Sequence, residues 1–333
     1  MNEPPTRRRY RRPSRLFCLT LTALGLAYAL LMVVIERGVS ERHLLAYLLV
    51  HGPQPPLLAP LCAFAVLCLM LRQWRLAAAN AIVLLVAVTV LMPPVLPHVP
   101  PRHEPAQRIR VVTWNVHGEV WNLAQIQATL ARLQPDIVCL QEAEDKRFAQ
   151  ALPGAQTAYT HHDWILTRGR IVNRKALPFV GRGSSRWGLS AEIELPQGRL
   201  SVLNVHYYVD IRRHIRHERR DEPDPIERAR GRLNQKVLDW LRQTRGPRIA
   251  CGDFNTPPRA RLYRNLRAEA LDAFGQAGLG WGFTYSRRWP VIRIDYVWCD
   301  GGVIPVRARA RNGHASDHRL LVTDIILPQT PLP

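Results

Sequence analysis

Lysine is almost absent from this sequence of 333 residues, which contains only Lys146, Lys175 and Lys236. The 46 basic residues are therefore nearly all arginine, and with 26 acidic residues they give a net charge of +20. Arginine binds phosphate in a bidentate manner, but a GC-rich genome produces the same bias. The charge alone therefore does not identify a phosphate-binding protein.

Cysteine is scarce as well, with six residues in the chain, and none of them follows the paired spacing of a zinc site. Three lie in long apolar runs, whereas Cys139, Cys251 and Cys299 lie in short strand-like runs, where a free cysteine behaves as a small hydrophobic residue. This distribution excludes a disulfide scaffold and is compatible with a cytosolic domain as well as an exported one. A hydrophobic fraction of 47% excludes intrinsic disorder.

Long apolar runs are confined to the first hundred residues. Leu16–Ile35 and Leu76–Leu96 are each long enough to cross a bilayer. A third run, Leu57–Leu71, could gain length from Leu44–Val50, although Pro60 would interrupt a helix. The first run is longer than the core of a typical cleaved signal peptide, and further apolar runs follow it. We therefore predict about three transmembrane helices.

The distribution of charge predicts how this membrane region, residues 1–97, is oriented. Residues 1–100 carry 10 basic and 3 acidic residues, and by the positive-inside rule the arginine-rich N-terminus belongs in the cytoplasm. Three spans would then place the rest of the chain outside a bacterial inner membrane, in the periplasm or the extracellular space. If the middle run were only re-entrant, that part would be cytoplasmic.

The remainder of the chain divides into a proline-rich linker, residues 98–107, and a region with the pattern of a folded domain, residues 108–328. Helical periodicity begins at Leu123, where Asn122 can cap a helix, and recurs over Ile226–Gln243. The mixture of hairpins and strand–helix units predicts an α+β or layered α/β domain with packed sheets. The predicted strands are Ile109–Trp114, Asp136–Gln141, Trp164–Thr167, Gly188–Leu195, Leu200–Val205, Arg248–Cys251, Ile292–Trp298, Val303–Ala310 and Leu320–Ile326.

Polar residues stand at or near the ends of six of these strands. A buried carboxylate needs a cation or a hydrogen-bonding partner, so convergence of these ends would suit a divalent metal. Oxygen ligands without paired cysteines favour Mg²⁺, with Mn²⁺ as an alternative, over zinc. The residues concerned are Asn115, Glu142, His206, Asp253, Asn255, Asp295, Asp317 and His318.

Six short motifs follow one another along this region. They are Thr-Trp-Asn-Val-His-Gly (113–118), Pro-Asp-Ile-Val-Cys-Leu-Gln-Glu (135–142), Asn-Val-His (204–206), Gly-Asp-Phe-Asn (252–255), Arg-Ile-Asp-Tyr-Val (293–297) and Ser-Asp-His (316–318). Together they resemble the motifs of the endonuclease/exonuclease/phosphatase superfamily, and the apolar N-terminal extension resembles that of membrane-attached bacterial members. The resemblance implies a four-layer α/β/β/α sandwich, DNase I-like, with two sheets face to face, helices outside and the active site at one end.

The resemblance assigns Glu142 as the main metal ligand, with help from Asn115 and Asp317. A Mg²⁺ ion held there would neutralise a non-bridging phosphate oxygen and stabilise the charge that builds in the transition state. Taken alone, Asn115 could simply cap a loop, and only the complete set of residues favours a metal site.

The resemblance also assigns hydrolytic roles to a second group of residues. Asp253 would orient or deprotonate the attacking water, and Asn255 would hold the phosphate. His318, polarised by Asp295, would donate to a phosphoryl oxygen. His206 matches a histidine of the DNase I-like and sphingomyelinase branches, where the abasic-site branch has a tyrosine. A structural histidine at a strand end is the alternative explanation for His206.

A strongly basic segment follows these motifs. Within residues 211–220, five arginines and two histidines face one glutamate, and Arg212, Arg213 and Arg216 are candidate contacts to an anionic substrate. The alternative is a solvated loop whose arginines pair with nearby acidic residues. Three further arginines alternate along one predicted strand and would share a face that suits anion binding, namely Arg307, Arg309 and Arg311.

Two hypotheses follow for the function. The first is a membrane-anchored, Mg²⁺-dependent hydrolase of phosphoester bonds that acts on nucleic acid, phospholipid or inositol phosphate, with no protein partner implied. The second is a catalytically silent membrane protein of the same fold that binds anionic lipid or nucleic acid. The complete set of catalytic motifs favours the first, while the sequence does not choose among its substrates.

Overall fold

The computed structural model describes residues 11–39, 44–96, 107–118, 122–181, 184–207 and 225–328. They form two compact units, which divide between Pro94 and Val95. The division places the apolar runs, up to Pro94, in the first unit and all six sequence motifs in the second.

The first unit is helical. A short π-helical turn, Ile35–Val39, follows its first helix. Two helical segments are long and apolar enough to cross a membrane, Ser14–Val34 and Trp74–Leu91, and a third apolar helix, Pro55–Met70, is shorter. The helices are α1 (Arg11–Val34), α2 (Leu44–His51), α3 (Gln54–Met70) and α4 (Trp74–Leu91).

The middle apolar run differs from the sequence-based expectation in two respects. Pro60 lies inside α3 without ending it, and the neighbouring prolines, Pro55 and Pro56, occupy the first turn, where a missing N–H costs little. Leu44–Val50 does not extend this run, because it forms the separate helix α2. Two helices of sufficient length and one shorter helix therefore stand where we predicted about three spans.

The described residues of the second unit form twelve strands in two six-stranded sheets. The strands are β1 (Arg108–Asn115), β2 (Ile137–Gln141), β3 (Gln156–Tyr159), β4 (Trp164–Thr167), β5 (Arg170–Gly181), β6 (Ser184–Leu195), β7 (Gly198–His206), β8 (Arg248–Asp253), β9 (Leu271–Asp272), β10 (Asp295–Asp300), β11 (Ile304–Arg311) and β12 (Leu320–Ile326). The order in the first sheet is β11-β12-β1-β2-β4-β3, and in the second β5-β6-β7-β8-β10-β9. The helices of this unit are α5 (Leu123–Leu133), α6 (Pro225–Gln243), α7 (Arg261–Arg267) and α8 (Ala273–Ala277).

Side chains alternate between the two faces of each strand, so one face of a sheet packs against the other sheet and the opposite face packs against helices. In β1, Ile109 and Val111 face the core between the two sheets, whereas Val112 and Trp114 face outward into a second core with helix α5. Helices α6 and α7 cover the outer face of the second sheet in the same way. The predicted four-layer α/β/β/α sandwich is thereby confirmed.

Strand direction places the predicted site residues together. Strands β1 and β2 are parallel, as are β7 and β8, so each pair ends at the same edge of its sheet. Strands β12 and β10 run antiparallel to β1 and β8, so their first residues lie at that edge as well. All six motifs therefore meet at one end of the sandwich.

Sequence patterns missed several elements. Strands β3, β5 and β9 and helices α7 and α8 have no predicted counterpart. Asn122 stands at the N-cap position of α5, as predicted, but its side chain makes no capping bond and its Nδ2 instead donates to the Ala315 carbonyl at 3.3 Å. That bond joins the start of α5 to the loop before the Ser-Asp-His motif.

Candidate active site

The centre of the site is a row of three residues on neighbouring strands. His206 on β7 stands beside Asp253 on β8, which in turn stands beside Asp295 on β10. The close approach of β7 and β8 requires Gly252, whose φ is +141° and where a Cβ would lie 1.9 Å from the Val205 carbonyl oxygen. The glycine of the Gly-Asp-Phe-Asn motif thus sets the position of the aspartate that follows it.

Asp253 is buried and held from several sides. Its Oδ2 accepts hydrogen bonds from Asn115 Nδ2 at 3.1 Å and from Asn255 Nδ2 at 3.2 Å, and its Oδ1 accepts from the Asn255 backbone N–H at 2.8 Å. The same Oδ2 lies 3.6 Å from His206 Nε2 and 3.8 Å from His318 Nε2. Four other predicted site residues therefore approach the same carboxylate oxygen of Asp253.

Burial raises the pKa of Asp253 to about 7, with a further upward contribution from the neighbouring carboxylate of Asp295. His318 and the hydrogen bonds from Asn115 and Asn255 offset part of this rise. A carboxylate with a pKa near neutrality exchanges protons at physiological pH and is suited to act as a general base.

His318 and Asp295 form a buried pair. His318 Nδ1 donates to Asp295 Oδ2 at 3.0 Å, which leaves Nε2 directed at Asp253. Burial alone would lower the pKa of His318, but the carboxylates of Asp295 and Asp253 outweigh it and raise the pKa to about 10. His318 therefore carries a proton on both ring nitrogens at neutral pH, as a general acid must. The ring of Tyr285 packs against the imidazole of His318, with 5.0 Å between the ring centroids.

His206 is buried within this polar cluster. Its Nε2 lies 3.4 Å from Glu142 Oε1 and 3.4 Å from Asn255 Nδ2. The neighbouring Asn204, which we expected to be structural, bridges the two sheets by donating to the carbonyls of Leu140 and Trp164. The two polar residues of the Asn-Val-His motif thus have different surroundings, one inside the sandwich and one at its open end.

Glu142 and Asp317 form the more open side of the site. Their side chains are 32% and 40% exposed, and each has an oxygen close to His117 Nδ1, at 3.6 Å and 3.8 Å. Asn115 Nδ2 donates to Glu142 Oε1 at 3.1 Å, while its Oδ1 accepts from the His117 backbone N–H. Asn115 thereby links Glu142 to Asp253, and metal ligation through its oxygen stays a prediction.

Two sets of side chains in the site could hold a metal. Asp253, Asp295 and His318 each offer a ligand atom within 4.8 Å of the others. His318 offers a nitrogen and is bonded to Asp295, whereas Mg²⁺ prefers oxygen ligands, so the oxygen-rich side at Glu142 and Asp317 suits Mg²⁺ better. Within the described ranges, no lysine or arginine forms an ion pair with any of the four site carboxylates, although the chain is strongly basic. Glu142 and Asp317, which lie outside the His318–Asp295 pair, therefore fit a divalent cation best.

Two sets of arginines were predicted to bind an anion, and the structure describes only one of them. Arg212, Arg213 and Arg216 lie outside the described residues. Arg307, Arg309 and Arg311 are all exposed on β11, the edge strand of the first sheet, and none forms an ion pair within the described part of the chain. Burial and the charges of the other two arginines lower the pKa of Arg307. Their shared exposed face is available to an anion.

Sequence reasoning missed two residues beside the site. Tyr285 contacts the ring of His318, and Arg230 on α6 donates to the backbone carbonyl of Asn255. Arg230 falls on the same helical face as Asn234, Val237 and other buried residues of α6, and an arginine in such an apolar stripe is the signal that could have identified it.

Comparisons with known proteins agree with this geometry. An endonuclease/exonuclease/phosphatase from Beutenbergia cavernae DSM 12333 matches with a TM-score of 0.54 at 18% identity, over 68% of this chain and 73% of that chain. D. rerio TDP2 complexed with single strand DNA product matches with a TM-score of 0.53 at 17% identity, over 66% and 98% of the respective chains. The human Nocturnin catalytic domain with bound sulfate anion matches with a TM-score of 0.50 at 19% identity, over 69% and 97%.

At these identities the structural likeness shows the fold, and a search of curated proteins gave no match. The family is shown by sequence. The profile of the Endonuclease/Exonuclease/phosphatase family matches residues 112–318, which is more than half of the chain and includes all six motifs. The chain therefore belongs to the endonuclease/exonuclease/phosphatase family.

Proposed function

We propose that this protein is a membrane-anchored, Mg²⁺-dependent hydrolase of phosphoester bonds. Members of its family hydrolyse such bonds and generally use divalent metals. The observation that carries the proposal is the arrangement of Asp253 and the His318–Asp295 pair. Asp253 has a pKa near neutrality, and its Oδ2 lies 3.8 Å from Nε2 of the protonated His318. Water attack on phosphorus needs a positioned base and a source of positive charge close to the phosphate oxygens.

Asp253 would act on the attacking water. Hydrogen bonds from Asn115 and Asn255 fix both carboxylate oxygens, so the base needs no reorientation before it accepts a proton. The Asn255 side chain lies between Asp253 and His206 and would hold a phosphate oxygen beside the water.

His318 would contact the reacting phosphate from beside Asp253. Its Nδ1 is committed to Asp295, which fixes the ring and leaves the Nε2 proton free to be donated to a phosphoryl oxygen. His206 Nε2 opens onto the same space between Glu142 and Asp253 and would supply a second contact to the phosphate.

Glu142 and Asp317 would hold the Mg²⁺ ion, with Asn115 orienting Glu142. When bound, Mg²⁺ supplies charge neutralisation for a phosphate oxygen and for the transition state. The left-handed backbone of Glu142, with φ of +54°, turns its side chain toward the open side of the site. A strained non-glycine residue of this kind is common where function requires a particular orientation.

Glu142→Gln tests this assignment. Loss of one carboxylate charge should raise the Mg²⁺ concentration needed for half-maximal activity by about tenfold or more. The measurement is a Mg²⁺ titration of the hydrolysis rate. Glu144→Gln is the matched control, since Glu144 is exposed and pairs with His162. An unchanged titration curve in Glu142→Gln would show that Glu142 is not a ligand.

The substrate is proposed only as an anionic phosphoester. The fold is similar to that of a TDP2 complexed with single strand DNA product and of a Nocturnin domain with bound sulfate anion, which supports a phosphate-containing ligand. The exposed arginines of β11 would favour an anionic ligand, and so would the charge of the basic segment with Arg212, Arg213 and Arg216, which follows His206 in the sequence.

A substrate panel tests the proposed function. The full chain would be incubated with duplex and single-stranded DNA, RNA, sphingomyelin, phosphoinositides and simple phosphomonoesters, with Mg²⁺ and with EDTA. We expect hydrolysis of at least one class, only with Mg²⁺. No turnover, together with metal-independent binding of lipid or nucleic acid, would favour the catalytically silent alternative.

We propose an inner-membrane location with the catalytic region, residues 108–328, outside the cytoplasm. Its support is the pair of long apolar helices, the shorter α3 between them, and the arginines that precede the first helix. A reporter that is active only outside the cytoplasm, fused after residue 333, is expected to be active. A signal only from a cytoplasmic reporter would contradict the count of three spans.

A further inference from the structure

Arg230 is one of the most deeply buried charged side chains in the described part of the chain, with 1% exposure. It lies on α6, whose apolar face packs on the second sheet through Val237 and Leu241. A buried guanidinium has lost its hydration and is retained only when its N–H groups find acceptors. Its acceptors therefore indicate what the residue does.

Two of these acceptors lie in the loop that carries Asn255. Arg230 Nη2 donates to the Asn255 carbonyl oxygen at 2.8 Å and to Thr256 Oγ1 at 2.8 Å. Thr256 Oγ1 in turn donates to the Phe254 carbonyl oxygen at 2.6 Å, and Tyr296 Oη donates to the Thr256 carbonyl oxygen at 2.7 Å. The backbone directly after Asp253 is thus held by Arg230 from α6 and by Tyr296 from β10.

This loop holds a backbone conformation that needs support. Asn255 has a φ of +46°, in the left-handed region that non-glycine residues seldom adopt. In that conformation its Nδ2 donates to the Tyr207 carbonyl oxygen at 2.8 Å and faces His206 and Asp253. If the loop relaxed to an ordinary conformation, this amide would leave the site.

We propose that Arg230 is a positioning residue for phosphate binding, which acts by holding Asn255 in its left-handed conformation. The inference rests on the proposed function, in which Asn255 holds the phosphate. Arg230 does not contact the reacting groups itself in this account. Its effect on activity must therefore pass through Asn255, and this distinguishes it from a residue that only stabilises the fold.

A double-mutant cycle tests this dependence. Because a small misplacement of a substrate-holding group is costly, Arg230→Met should lower kcat/KM by about 10- to 100-fold. Asn255→Ala should lower it further, and Arg230→Met added to Asn255→Ala should cause little additional loss. Arg230→Lys, which keeps one donor near the loop, should recover part of the activity. Losses that simply multiply in the double variant would overturn the proposal.

Two further variants separate positioning from folding. Thr256→Val removes an acceptor of Arg230 with little change in volume, so it should lower kcat/KM in the same direction even if Arg230→Met fails to fold. Arg248 pairs with Asp300 at 2.6 Å at the other end of β8, so Arg248→Met is the matched control. It should change thermal stability but leave kcat/KM, and the effect of Asn255→Ala, unaltered. Full activity in both Thr256→Val and Arg230→Met would contradict a positioning role.

A binding measurement separates this inference from the proposed function. Inorganic phosphate would be titrated into the full chain and its variants by calorimetry. Phosphate binding that weakens in Arg230→Met and Thr256→Val but not in Arg248→Met would support the inference, even if the protein hydrolysed nothing in the panel. Phosphate binding that is absent in the unmodified protein, or equal in all variants, would overturn the inference even if hydrolysis were observed.

Discussion

Asp253→Asn is expected to lower kcat by about 10²- to 10⁴-fold, because it removes the base while keeping the size of the side chain. The amide oxygen can replace Oδ2 and keep the bonds from the Asn115 and Asn255 side chains, while the bond from the Asn255 backbone N–H to Oδ1 is lost. The measurement is the steady-state hydrolysis rate at saturating Mg²⁺. The matched control is Asp300→Asn at the other end of β10, which should retain near-normal activity.

The raised pKa of Asp253 also predicts a change in stability. The group has a folded pKa of about 7, above its ordinary value of 3.8, so the native state is favoured at low pH and loses this contribution as pH rises toward 7. Asp253→Asn abolishes the cost of burying the charge. In metal-free buffer above pH 7 the variant should therefore melt at a higher temperature than the unmodified protein. A lower melting temperature would indicate that the carboxylate stabilises the fold.

Asp295→Asn is expected to lower kcat by about 10²- to 10⁴-fold as well, because the imidazole of His318 loses the partner that orients and charges it. It should also change the pH profile. The pKa of His318 is about 10 because of Asp295 and Asp253, so the acid form is lost only as pH rises through that value. Removing the Asp295 charge lowers this pKa, so the alkaline limb of the kcat profile should move to lower pH.

The same pair predicts a stability change with a defined sign. The folded pKa of His318 is raised above its ordinary value of 6.5, so its contribution is fully present below pH 6.5 and disappears as pH rises through about 10. Asp295→Asn should therefore destabilise the protein most at low and neutral pH. An unchanged alkaline limb, together with equal loss of stability at pH 6 and pH 10.5, would show that the pair is not charged as described.

Much of the site could be predicted because its residues follow strand ends. Register in a sheet is regular, so a carboxylate at the end of β8 and another at the start of β10 must meet once the strands are antiparallel neighbours. The order of the motifs along the chain, which resembles that of a known family, indicated that these strands would be neighbours. Asp253, Asp295 and His318 therefore come together as the sequence led us to expect.

The rest depends on features that have no local signature. The left-handed backbone of Glu142 and Asn255 is set by tertiary contacts, and nothing in the adjacent sequence requires it. Arg230 is buried only because α6 packs directly beneath the Asn255 loop. The Asn122 side chain bonds to a distant loop and not to its own helix, so its position before the helix did not predict its hydrogen bond. In each case a long-range contact outweighed a local preference.

The central claim is that Asp253 and the His318–Asp295 pair perform metal-dependent phosphoester hydrolysis. Its most direct test is the hydrolysis rate of the unmodified protein, Asp253→Ala and His318→Ala, measured side by side with Mg²⁺ and with EDTA on whichever substrate of the panel is cleaved. We predict turnover by the unmodified protein with Mg²⁺ alone and none by either variant. Comparable turnover by both variants would contradict the assignment of this site.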